Sequence, residues 1–161
     1  MTEQTIDYQA IKEHILQAIP TAESAEAVMD FVVTELKDKL PHYDWIGIYL
    51  LRGDLLELGP YRGEPSPHTK IGLGQGICGM AASAKETIVV PDVNADPRYL
   101  ACSIKTKSEI VVPIMRGTTC LGEIDIDSHT PHAFTKQDRT LLEAIARELA
   151  GKLNEETPRP I

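Results

Sequence analysis

The stretch SEIVVPIM, a turn at Arg116-Gly117, and TTCLGEIDID restrict the fold more than any other segment. Two apolar β-type runs joined by so short a turn must pair antiparallel, because parallel strands need a crossover of about a dozen residues or more. The same logic applies upstream. Trp45–Leu51 is followed by the turn Arg52-Gly53-Asp54 and a return run Leu55–Pro60. With two hairpins and few segments that read as crossover helices, a parallel doubly wound sheet is disfavoured.

Helical patterns flank these hairpins. Ile11, Ile15 and Ile19 repeat every fourth residue over about Asp7–Ile19, and Pro20 ends the run. Thr21 or Ser24 would cap a second helix that reaches about Leu40, with Val28, Phe31, Val32, Leu36 and Leu40 as its apolar stripe. Thr135 and Asp138 suit the start of a last helix to about Leu153, with Leu141, Leu142, Ile145, Ala146 and Leu149 inward. Between the hairpins, Tyr61–Lys70 reads as a loop, Gly76–Ala84 as a short helix after a Gly-rich turn, and Thr87–Val90 as a short strand. The expected class is α+β. Terminal helices pack on one face of an antiparallel sheet, and a loop-covered small-ligand pocket lies on the other. The expected unit is one domain over 1–161, with its core at about 8–153.

Charge and cysteine usage narrow the function. Acidic residues outnumber Lys plus Arg by 24 to 16 in 161 residues, a net charge of −8. Such a balance opposes nonspecific binding to nucleic acid or anionic membranes. Neither an apolar signal core nor a run of membrane-spanning length is present. Three cysteines, an odd number, fit a reducing compartment, so a cytoplasmic location is expected.

Strand alternation sorts the residues that carry chemistry. Ile110, Val112, Ile114, Ile124 and Ile126 share one face, and Cys120 is assigned to it as a core residue. Glu109, Glu123, Asp125 and Asp127 share the other. Glu109, Asp125 and Asp127 read either as a solvated acidic face or as carboxylates that hold an ammonium group or retain a proton for acid catalysis. Metal binding is the weaker reading, because no His spacing accompanies them. Cys102 lies in a loop, where a thiol is more reactive than on a buried strand. Cys78 opens the short helix, whose positive end would lower its pKa. Trp45 and Tyr49 share a strand face, either as packing or as an apolar wall for a methylthio group. The glycines around Cys78 match neither a dinucleotide fingerprint nor a phosphate loop.

The hairpins, PDVNADPRY, SEIVVPI, GEIDIDS and FTKQDRTLLEAIA together resemble a GAF domain over about Tyr8–Leu153. DWIGIYLL, LGPYRG, GQGICGMAA, LACS, KSEIVVPI and LGEIDIDS are most similar to the free methionine-(R)-sulfoxide reductases. The resemblance implies a cytoplasmic, homodimeric enzyme that reduces free methionine (R)-sulfoxide. It would hold no bound cofactor and draw electrons from thioredoxin or another thiol reductant. It places the nucleophile at Cys102 and a resolving thiol at Cys78. Glu109, Asp125 and Asp127 would bind and protonate the substrate, and Trp45 and Tyr49 would line its methylthio end. One position departs. Family members usually carry a further resolving cysteine ten residues before Cys78, where this chain has His68. The alternative is a non-catalytic GAF module that binds or senses a small molecule.

Overall fold

The computed structural model describes residues 5–99 and 104–156, with side chains through Leu153. Cys102, the expected nucleophile, lies outside the described residues.

Local sequence sets the helix ends. Helix α1 (Tyr8–Ala18) is capped by Asp7, whose side chain accepts from the Ala10 amide at 3.0 Å. Pro20 then permits only a 3₁₀ turn, Ile19–Thr21. Helix α2 (Ala25–Lys39) begins at Ser24, which accepts from the Ala27 amide at 3.0 Å. Helix α3 is Gly76–Ala84 and α4 is Lys136–Glu156. At the head of α4, Asp138 accepts from the Thr135 amide at 2.8 Å, one half of the expected capping box, and from the Thr135 hydroxyl at 3.2 Å.

The strands are β1 (Trp45–Arg52), β2 (Leu55–Arg62), β3 (Lys70–Gly72), β4 (Ile88–Val90), β5 (Ser108–Arg116) and β6 (Thr119–Ser128). They form one sheet in the order β3-β2-β1-β6-β5-β4, with every pairing antiparallel. Both expected hairpins are present, and β1 and β6 join them at the sheet centre. Strand β3 departs from the sequence reading, which assigned its residues to loop and turn. Its few residues carry no alternation to read, and pairing with β2 makes them a strand.

The two faces separate as the alternation requires. Helices α1, α2 and α4 cover one face, where Ile15, Val32, Leu36, Ile110, Ile126 and Leu149 belong to a single buried cluster. A second cluster on the opposite face contains Trp45, Tyr49, Cys78, Val111 and Cys120 and includes α3. The expected α+β layering is therefore present.

Cys120 corrects the sequence assignment. It is buried, but in the second cluster and not against the helices. The cause is a β-bulge. Ile114 pairs with Gly122 while the next residue, Met115, pairs with Cys120, so β6 carries one extra residue. Alternation read through the bulge assigns Cys120 to the wrong side. Gly122 is required there, because a Cβ on it would collide with the Tyr49 carbonyl oxygen.

Candidate active site

Four carboxylates face the second cluster, and all are buried: Glu109 on β5, and Glu123, Asp125 and Asp127 on β6. This corrects the solvated-face reading. The β5–β6 register explains their meeting. Glu109 is the cross-strand partner of Asp127, while Asp125 lies opposite Val111 and Glu123 opposite Pro113. Glu109 is in hydrogen-bond contact with both Asp125 and Asp127. One residue on β5 thus links two successive inward positions of β6.

Burial is the main cause of their unusual proton affinity. It raises the pKa of Glu109, and the charges of Asp125 and Asp127 raise it further. Asp127 is raised by burial and by Asp125, and Glu123 by the same two influences. Asp125 is also raised by burial, against hydrogen bonds from Glu109 and Cys78 that lower it. The row holds protons at pH values where ordinary carboxyls are ionised. Oxygens of Glu123, Asp125 and Asp127 have no hydrogen-bond partner among the described residues. Buried polar atoms without partners are expensive, which points to a ligand that satisfies them.

Cys78 stands against this row from α3. Its pKa is raised by burial, by the charges of Asp125, Glu123 and Glu109, and by a hydrogen bond with Asp125. The expectation that the helix end lowers it is overturned. Nearby carboxylates and desolvation outweigh the partial charge of a nine-residue helix. Cys78 rests as a thiol.

Trp45 and Asp127 meet at a cavity of about 50 Å³, lined also by Asp44, Glu64, Thr106 and His129. The Trp45 indole is fixed on several sides. Its Nε1 donates to the Glu64 carbonyl at 2.9 Å, and its ring stacks on Tyr61 with centroids 6.0 Å apart. Gly47 leaves room for the ring, which a Cβ there would strike. Tyr49 does not reach this cavity. It is buried in the second cluster, and its hydroxyl donates to the His68 carbonyl at 2.7 Å. The site thus ties down position 68 through its backbone.

The structure brings together Trp45, Cys78, Glu109, Asp125 and Asp127 on one side of the sheet. Sequence reasoning placed Glu123 on the same face but gave it no role. Asp44, Thr106 and His129 were missed as well. They sit at strand ends, where no periodicity exists to signal them. Asp44 accepts from the His129 amide at 2.7 Å, which clamps the start of β1 to the end of β6 beside the cavity.

Comparison with known proteins agrees with this layout. The model of the GAF domain family matches residues 24–153. The chain is 45% identical to the free methionine-R-sulfoxide reductase of Saccharomyces cerevisiae over 109 residues, 65% of this chain and 59% of that protein. The match therefore spans less than two thirds of the yeast relative. Among solved structures, the type II free methionine-R-sulfoxide reductase of Thermoplasma acidophilum is 38% identical, with a TM-score of 0.79 over 90% of this chain and 96% of that one. The Neisseria meningitidis free methionine-R-sulfoxide reductase in complex with its substrate is 30% identical, with a TM-score of 0.88 over 96% and 92%. In sequence and in fold, the chain belongs to the GAF domain family, in the branch that contains the free methionine-R-sulfoxide reductases.

Proposed function

We propose that this chain reduces free L-methionine (R)-sulfoxide to L-methionine. The observation that carries the reading is the buried row Asp125–Glu109–Asp127, with its raised proton affinity, beside the Trp45 wall of a cavity. Its relatives supply the substrate class.

The chemistry follows from these groups. Asp127 at the cavity is suited to the substrate ammonium, and the indole of Trp45 to the methylthio end. Cys102 is the nucleophile and attacks the sulfoxide sulfur. A protonated carboxyl of the row gives its proton to the sulfoxide oxygen as the S–O bond breaks. Net, the oxygen passes from substrate sulfur to Cys102 sulfur, leaving methionine and a sulfenic acid. The Cys78 thiol then condenses with that sulfenic acid, forming a disulfide and releasing water. An external dithiol such as thioredoxin returns both thiols by exchange. No bound cofactor enters the cycle. A homodimer in the cytoplasm completes the proposal.

His68 shapes the last steps. With no cysteine there, the external dithiol meets either the Cys102–Cys78 disulfide or the Cys102 sulfenic acid itself. The test is incubation of the protein with resolved R and S epimers of free methionine sulfoxide, with dithiothreitol and separately with thioredoxin. The expected result is R-specific turnover that disappears in Cys102→Ser. Absence of turnover with either reductant overturns the reading and leaves a non-catalytic binding module.

A further inference from the structure

The Cys78 end of the carboxylate row contains a donor set that the proposed reduction does not fully use. The Cys78 sulfur and one carboxylate oxygen each from Glu109 and Asp125 all lie within 4.8 Å of one another. They come from three separate elements, α3, β5 and β6, and every one is buried. Glu123 is the fourth group. It is fully buried, it interacts with both Cys78 and Asp125, and neither of its carboxylate oxygens has a hydrogen-bond partner among the described residues. Asp125 Oδ1 is likewise unpartnered. The ionisable groups acting on Cys78 are all carboxylates: Asp125, Glu123 and Glu109. Such a cluster stays buried only by keeping protons or by taking a cation.

We propose that Cys78, Glu109 and Asp125, with Glu123 beside them, form a binding site for a borderline-soft divalent cation of the Zn²⁺ type. The donor set decides the class. A thiolate sulfur favours Zn²⁺ or Co²⁺ over Mg²⁺ and Ca²⁺, which take oxygen ligands alone. Zn–S and Zn–O bonds of about 2.3 and 2.1 Å put tetrahedral ligands about 3.5 Å apart. Closing to that geometry from 4.8 Å or less takes small side-chain movements and no rearrangement of the sheet. Glu123 lies outside that three-donor set but interacts with Cys78 and Asp125, and its unpartnered carboxylate is the group placed to close on the cation or to support its ligands. Binding displaces the protons these groups hold, so affinity rises with pH. A cation here ties up the Cys78 sulfur, and through Glu109 and Asp125 it competes with the substrate. That regulatory consequence, unlike the binding itself, rests on the reductase reading.

The test is Co²⁺ titration of the reduced full-length chain, followed by absorption. One equivalent is expected to produce a near-ultraviolet sulfur-to-cobalt band. The band should vanish in Cys78→Ser and persist in Cys120→Ser. Glu123→Gln should weaken binding by at least about tenfold, the lower end for disturbing even an outer-shell partner. X-ray absorption of the wild-type Zn²⁺ complex, which needs no variant to fold, should show one sulfur and otherwise oxygen ligands. No sulfur-to-cobalt band, a band that persists in folded Cys78→Ser, unchanged affinity in Glu123→Gln, or a first shell with no sulfur or several overturns the proposal. Turnover is not the readout, so failure of the cation site and failure of the reductase reading are separately visible.

Discussion

Asp138 gives the sharpest stability prediction. It is fully buried at the head of α4 and accepts hydrogen bonds from its own helix start and from residues distant in sequence. The Tyr43 hydroxyl donates at 2.8 Å, the Tyr8 hydroxyl at 3.0 Å, and the Thr135 amide at 2.8 Å, while His42 Nε2 lies at 2.7 Å. Asp138→Ala removes all of these at once. Tyr43 is fully buried, so its hydroxyl is orphaned, at a cost of about 1–3 kcal/mol. Loss of the cap costs about 1 kcal/mol. Tyr8 and His42 are partly exposed and turn to water, at about 0.5 kcal/mol each. The total, about 3–5 kcal/mol, is a large share of the roughly 5–15 kcal/mol that holds a typical domain folded.

Urea denaturation followed by circular dichroism at neutral pH measures this loss as a lower midpoint with an unchanged slope. In a Tyr43→Phe background the same substitution should cost about 1–3 kcal/mol less, because no buried hydroxyl is left behind. The pH dependence supplies a second check. Burial pushes the Asp138 pKa up, but the His42 and Thr135 hydrogen bonds, the His42 charge and the Tyr43 hydroxyl outweigh it, and the net shift is downward. A carboxylate with a depressed folded pKa stabilises the fold above its unfolded pKa of about 3.9, and this is lost as pH falls through the folded value. Wild type should therefore lose stability below about pH 4 more steeply than Asp138→Asn. A loss under about 1 kcal/mol in Asp138→Ala, or an equal loss with and without Tyr43, refutes the accounting.

The pocket-side carboxylates run the other way. Their folded pKa values are raised, so their contribution is present below the unfolded value and declines as pH climbs through the folded one. Glu123→Gln should flatten that alkaline decline in a series of melts between pH 5 and 8, and an unchanged slope would contradict the assignment. Trp45→Ala removes an apolar wall at the cavity. Under the reductase reading it should raise KM more than it lowers kcat in steady-state assays, and a pure kcat effect would place the indole elsewhere in the cycle. Gly122→Ala puts a methyl group into the Tyr49 carbonyl and should lower the melting temperature by several degrees. A neutral result would show that the bulge relaxes freely.

The hairpins were legible because antiparallel pairing follows from turn length, and the two faces because alternation is strict where one face meets helices. The legibility ended where the period broke. The bulge in β6 reverses Cys120, and its one sign in the sequence, Gly122 within the strand, does not fix which residue is the extra one. Glu123, Asp125 and Asp127 were assigned correctly to one face, yet their burial was not readable. A carboxylate row is far more often solvated, and only α3 with its loops makes this one interior. The sign of the Cys78 shift failed for a related reason. A helix end is visible in sequence, whereas the burial that outweighs it, and the carboxylates that add to that burial from strands 31 to 47 residues away, come only with the fold. Asp44, Thr106 and His129 became site residues through proximity in space alone.

The strand order leaves β3 and β4 at the two sheet edges, each only three residues long. An edge strand is where another chain would add itself to a sheet through backbone hydrogen bonds. Here each edge strand is shorter than the roughly five or six residues of an ordinary strand, and each covers only part of its neighbour: β3 pairs with Leu55–Glu57 of β2, and β4 with Glu109–Val111 of β5. The border is therefore stepped, and an added strand would have to pass from β3 to β2, or from β4 to β5, which makes a poorer template than one long straight edge. Self-association through helices and loops would answer to side-chain substitutions on those surfaces, whereas association through a stepped border would answer to changes in backbone pairing.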